Sequence, residues 1–148
     1  MDNIDKKYME LAIKVGQKSN CSREDRQVGA VIVKKGKILG EGFNFIPEKL
    51  GGVCDKCCYR KKNNIASGTC IEKCFSICAE QHAIKNALQG GADLTGATVY
   101  TSLSPCALCA RWIVFVGIAR VVYLDKYHDM FSKNILKKAG VQVDSIKL

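Results

Sequence analysis

Two short clusters in this chain bring together residue types that can hold a metal and move a proton: Cys78-Ala79-Glu80 and Pro105-Cys106-Ala107-Leu108-Cys109. Cysteines three apart in the first turn of a helix turn their sulfurs toward one point, and the helix N-terminus favours their thiolate forms. Cys78, opening another helix, can supply a third ligand. Three protein ligands leave a tetrahedral zinc one position open for water, which is the catalytic arrangement. Glu80 stands two residues beyond Cys78, near the metal but outside its ligand set. A carboxylate there can take a proton from metal-activated water and pass it to a substrate nitrogen. The plainer alternative makes the cysteines small buried hydrophobes and Glu80 a helix N-terminal charge. The pairing of C-x-E with P-C-x-x-C, both at helix starts, weighs against it.

The remaining cysteines are Cys21, which follows the first helix, and Cys54, Cys57, Cys58, Cys70 and Cys74, which fall in a segment without clear periodicity, residues 46–76. That segment also carries Pro47, Gly51-Gly52, the basic cluster Arg60-Lys61-Lys62 and Ser67-Gly68. A loop so long inside a compact domain is usually functional or separately stapled. Spacing alone allows four of its five cysteines to bind a second, structural zinc, with an unmetallated loop of reactive thiols as the alternative.

The elements that must position these groups follow from periodicity. Apolar residues at Ile4, Tyr8, Leu11, Ala12 and Val15 predict an amphipathic helix over 3–18. Residues 28–33 and 37–45 read as a hairpin turning at Lys35-Gly36, and residues 78–89 as a helix stopped by Gly90-Gly91. A strand at 97–101 precedes a helix over 105–116, with Ser104 as its cap and Pro105 in its first position. A strand at 120–124, a helix at 128–139 ended by Gly140, and a strand at 142–146 complete the chain. The alternation predicts an α/β protein with one mixed five-stranded sheet covered by helices, and one domain over 1–148 with the cysteine-rich insertion at about 46–76. The 105–116 helix is apolar nearly all round, so a second subunit is expected to cover its outer face.

Composition narrows the class. The chain has 148 residues, 47% of them hydrophobic, and only two prolines, which excludes a disordered or fibrous protein. Its longest apolar run, 112–117, is far below the ~20 residues of a membrane span, and its start has no apolar leader core. A cytoplasmic protein without a membrane partner is expected, and nine cysteines in a reducing compartment point to metal more than to disulfides. The net charge of +9 suits anionic partners, but the basic clusters at 34–37, 60–62 and 133–138 do not form one stripe, which argues against nucleic acid and for a small anionic substrate.

C-x-E followed by P-C-x-x-C is the zinc deaminase signature, with Cys78 in place of the usual His. The chain resembles the cytidine and deoxycytidylate deaminase superfamily, most closely its deoxycytidylate deaminases. The resemblance runs through Gln27-Val28-Gly29-Ala30-Val31-Ile32-Val33, Gly42-Phe43-Asn44, Cys78-Ala79-Glu80-Gln81-His82-Ala83-Ile84, Gly96-Ala97-Thr98-Val99-Tyr100 and Asp125-Lys126-Tyr127-His128-Asp129. It implies a cytidine-deaminase-like three-layer α/β/α fold, a homo-oligomer, and hydrolysis of deoxycytidylate to deoxyuridylate and ammonia, supplying thymidylate synthesis. The rivals are a deaminase of free cytidine or deoxycytidine or of tRNA adenosine, and a noncatalytic zinc-stapled nucleic-acid-binding module, against which an intact Glu80 speaks.

The resemblance makes Cys78, Cys106 and Cys109 the catalytic zinc ligands and Glu80 the proton shuttle. It places Asn44 on the sugar hydroxyl, the Ala79 N–H on the pyrimidine O2, and the carbonyl near Ser104 on the leaving amino group. It selects Cys21, Cys54, Cys58 and Cys74 for the structural zinc. Arg26 is the candidate phosphate anchor, with a solvated surface arginine as the alternative. Deoxycytidylate deaminases usually have His where this chain has Cys78, so the site carries a third thiolate, whose charge Arg111 could offset. His82 is expected to be structural, and His128 to line the pocket or cap the last helix.

Overall fold

The computed structural model describes residues 3–52 and 58–148. Cys54 and Cys57 lie outside the described residues. Five strands form one sheet in the order β2-β1-β3-β4-β5: β1 (Gly29–Lys34), β2 (Lys37–Phe43), β3 (Thr98–Leu103), β4 (Arg120–Asp125) and β5 (Gln142–Ser145). β1 runs antiparallel to β2 and β3, whereas β3, β4 and β5 are mutually parallel.

Alternation along the strands gives each face its own core. One face, including Val31, Val33, Tyr100 and Val122, is covered by helix α1 (Asn3–Gly16) through Tyr8, Met9, Ala12 and Val15. The other, including Ala30, Ile32, Val99 and Val121, is covered by α3 (Ala79–Gln89), α4 (Ala107–Phe115) and α5 (Met130–Lys138). The result is the expected three-layer α/β/α arrangement. A short helix α2 (Tyr59–Lys62) and a 3-10 turn (Glu48–Leu50) lie in the insertion, whose two ends are pinned by the paired backbones of Phe45 and Ile77.

α3 lies close on β2 because Gly42 has no side chain. A Cβ there would meet Ala83 N at 2.2 Å and Ala79 O at 2.5 Å. Asn86 Nδ2 donates to Glu41 O at 2.8 Å, and the His82 ring packs against Phe43 and Phe45. These contacts fix the helix that carries Glu80. α1 is fastened across the sheet by Asp5, which accepts both Arg120 Nη1 and Nη2 at 2.9 Å and the Tyr100 hydroxyl at 2.8 Å.

Two helix starts differ from expectation. α4 begins at Ala107 with Cys106 as its N-cap, and α5 begins at Met130 with Asp129 as its N-cap. Ser104 does not cap α4: its Oγ accepts Tyr127 N at 2.7 Å. Pro105 lies before the helix, its carbonyl accepting the Ser132 hydroxyl at 2.6 Å. Tertiary partners thus outbid the local capping signal. On α4, Cys109, Ala110 and Ile113 are buried, whereas Trp112 is 46% and Phe115 79% exposed. Among the described residues, no helix is long and apolar enough to cross a membrane.

Candidate active site

The C-terminal end of β3, the start of β1 and the end of β2 meet at one edge of the sheet, where strand direction changes between β1 and β3. Ligands of open α/β sheets bind at such switch points. α3 and α4 both begin there, and their N-cap residues are Cys78 and Cys106. The sulfurs of Cys78, Cys106 and Cys109 lie within 4.8 Å of one another, and among the described residues they form a group able to hold a metal. Tetrahedral zinc with sulfurs at about 2.3 Å would need them about 3.8 Å apart, so the trio fits such an ion after small side-chain adjustments.

The local chemistry fits a cation. Hydrogen bonds from the Cys109 and Cys78 thiols, and backbone N–H groups of Cys109 and Leu108, push the Cys106 thiol down to about 3 despite its burial. The Cys78 and Cys109 thiols are raised in return, because each shares its proton with Cys106. A bound cation would replace those shared protons. Arg111, the residue expected to offset a third thiolate, is exposed on α4.

Glu80 is 4% exposed. Burial first, then the negative Cys106, push its carboxyl up to about 7, against hydrogen bonds from the Cys109 thiol and the Thr101 hydroxyl, the latter at 3.1 Å from Oε1. A buried carboxyl held by hydrogen bonds beside a metal-capable cluster is placed to exchange a proton with a group bound there.

Cys78, Cys106 and Glu80 open onto a cavity of about 180 Å³ that every expected substrate residue lines: Arg26, Asn44, Ala79 and Ser104. Asn44 Oδ1 accepts Val28 N at 2.8 Å and its Nδ2 donates to Arg26 O at 2.6 Å, which leaves each end of the amide one further hydrogen-bonding position. Arg26 donates to Ser67 Oγ at 3.1 Å, lies 3.6 Å from the Asp25 carboxylate, and has its guanidinium 5.6 Å from the centre of the Tyr127 ring. Cys21, Cys58 and Cys74 line the same cavity.

Sequence reasoning missed the insertion's part in the cavity wall, to which Arg60, Ile65, Ser67 and Ile71 contribute alongside Arg23 and Tyr127. Arg60, read from sequence only as part of a basic cluster, holds the insertion by donating to the carbonyls of Ala66, Thr69 and Cys70. Gly68, at φ 79°, lies so near the chain that a Cβ would meet His128 O at 2.4 Å, and its N–H donates to the Tyr127 hydroxyl at 3.1 Å. Tyr127 and Gly68 stand in the quoted patterns, but nothing in either pattern gives their contact. His128 neither caps α5 nor is among the residues lining the cavity.

Residues 2–125 match the family described as the cytidine and deoxycytidylate deaminase zinc-binding region. The chain is 34% identical over 146 residues to the deoxycytidylate deaminase of Saccharomyces cerevisiae, covering 94% of this chain and 43% of that protein. It is 35% identical over 121 residues to the deoxycytidylate deaminase of Mycobacterium phage D29, covering 80% of this chain and 92% of the phage protein. The crystal structure of dCMP deaminase from the cyanophage S-TIM5, in complex with dCMP and dUMP, superposes with a TM-score of 0.79 at 27% identity over 99% of each chain. Fold and site together define a deaminase-type α/β protein. The chain belongs to the cytidine and deoxycytidylate deaminase family. It spans less than half the length of the yeast relative it matches.

Proposed function

We propose that the chain hydrolyses deoxycytidylate to deoxyuridylate and ammonia, and so feeds thymidylate synthesis. The observation that carries the reading is buried Glu80 beside three converging cysteine sulfurs, in the lining of a cavity that Arg26 also lines. Cys78, Cys106 and Cys109 would hold zinc, whose Lewis acidity, when bound, would activate water for attack at C4 of the ring. Glu80 takes one proton from that water and delivers it to N3, then carries the second to the C4 amino group. The C4–N bond breaks, ammonia leaves, and N3 keeps its hydrogen. The Ala79 N–H, in the first turn of α3, meets the pyrimidine O2. Asn44 holds the sugar hydroxyl, the carbonyl near Ser104 accepts from the amino group, and Arg26 anchors the 5′-phosphate.

Three further assignments belong to the same reading. A second, structural zinc is held by Cys21, Cys54, Cys58 and Cys74, three of which line the cavity. A second copy of the chain covers Trp112 and Phe115, which lie too far out on α4 to reach the core. The residues 1–148 work as one domain in the cytosol, whose reducing conditions suit nine cysteines.

The deciding assay incubates purified protein with deoxycytidylate, cytidylate, deoxycytidine, cytidine and a tRNA, and follows ammonia release. Deoxycytidylate is expected to be the preferred substrate. Equal turnover of nucleoside and nucleotide would move the assignment to the free-cytidine enzymes, and turnover of tRNA alone would remove the small-molecule reading.

A further inference from the structure

We propose that Asp129 is a positioning residue of the metal site: its carboxylate joins the first turns of α4 and α5 and thereby sets where Cys106 and Cys109 present their sulfurs. The proposal rests on reading those cysteines as zinc ligands.

The first turn of a helix leaves backbone N–H groups without an intrahelical partner. In α4 that of Ala107 goes to Asp129 Oδ2 at 2.6 Å. The other carboxylate oxygen, Oδ1, accepts Phe131 N at 3.0 Å and Ser132 N at 3.3 Å as the N-cap of α5. One side chain therefore serves two helix starts. From the same turn of α5, the buried Ser132 hydroxyl donates to Pro105 O at 2.6 Å. Both chain neighbours of Cys106 are fastened to α5, one through its carbonyl and the other through its N–H. That leaves the sulfur of Cys106 little freedom to swing, and Cys109 follows because it lies in the same turn.

A cap needs one acceptor oxygen, which asparagine offers as well as aspartate. Serving two helices needs two, and an amide has only one. The substitution Asp129→Asn therefore separates a cap from a bridge: it keeps one helix start satisfied and leaves the other bare.

The test loads wild-type protein, Asp129→Asn, Asp129→Ala and Ser132→Ala with zinc, and follows transfer of the metal to a chromophoric chelator alongside thermal melts. Asp129→Asn is expected to release one zinc roughly ten to a hundred times faster than wild type, the range for removing a group that orients metal ligands, with its melt nearly unchanged. In steady-state assays its kcat should fall while KM holds. Ser132→Ala should move release in the same direction by less. Zinc release from Asp129→Asn at the wild-type rate overturns the proposal, and so does faster release that accompanies a collapsed melt. Should Asp129→Ala fail to fold, the asparagine variant decides. Wild-type protein that takes up no zinc overturns the ligand assignment, and the proposal with it.

Discussion

The hydroxyl of Thr101, at the fully buried centre of the sheet, sits 3.1 Å from Glu80 Oε1 and 3.0 Å from the carbonyl of Leu103. A hydroxyl has one hydrogen and two lone pairs, so it can donate to a carboxylate or accept from a carboxylic acid while staying in place. It holds Glu80 toward the cysteines in either form. Glu80→Gln is expected to keep fold and zinc while losing roughly two to four powers of ten in kcat, the range for general acid–base catalysis. Thr101→Val, which keeps the shape, should cost about tenfold in kcat, near the low end of what a hydrogen bond to a charged group contributes. Turnover close to wild type in Glu80→Gln would take that residue out of the mechanism.

Arg26 bridges the sheet and the insertion, touching Ser67 on one side and Tyr127 on the other. If it anchors the phosphate, Arg26→Ala should lower kcat/KM for deoxycytidylate by at least tenfold and leave deoxycytidine untouched. That corresponds to losing about 1.5–3 kcal/mol from a charge-assisted hydrogen bond. An equal loss on both substrates would instead assign Arg26 to holding the wall.

Metal content tests both cysteine sets together. Purified protein is expected to contain two zinc ions per chain, of which one leaves only as the insertion unfolds, because a second zinc would supply order that a loop with so few apolar residues lacks. Substituting Cys58 by Ser should remove that one and raise protease cleavage within residues 46–76. One zinc per chain with a protease-resistant insertion would sink the second site.

The convergence of Cys78, Cys106 and Cys109 beside Glu80 was legible because the pattern is local: an N-cap cysteine with a carboxylate two residues on, and a second N-cap cysteine with another cysteine three residues on. The layers were legible because Val31 and Val33 alternate with Ala30 and Ile32, and each set meets its own helices. What the sequence concealed depends on partners distant along the chain. Ser104 and Pro105 carry a strong capping signal, yet Tyr127 N and the Ser132 hydroxyl claim them. Arg60 reads as a surface charge because nothing nearby announces that three carbonyls will face it. Asp129 falls inside the helix expected over 128–139, yet it caps α5, and its second oxygen's partner lies on another helix.

The pH dependence of stability should centre on Asp5. The bidentate hydrogen bonds from Arg120, then that from Tyr100, outweigh burial and hold the Asp5 carboxyl below the usual carboxylate range. A group whose pKa is depressed by folding binds its proton more readily when unfolded, so its contribution is fully present above about pH 5, begins to fall near the ordinary carboxylate value of about 4, and is lost as pH drops through the lower folded value. Asp5→Asn should therefore destabilise the protein by about 1–3 kcal/mol at pH 7 and progressively less as pH falls below about 4. Arg120 keeps a second partner, Asp144 at 2.7 Å from Nε, which limits the cost of losing the first. Acid also strips metal from thiolates, so the quantity to follow is the difference between wild type and variant in urea melts from pH 3 to 7. A difference that stays constant across that range would show that Asp5 contributes through packing and not through its charge.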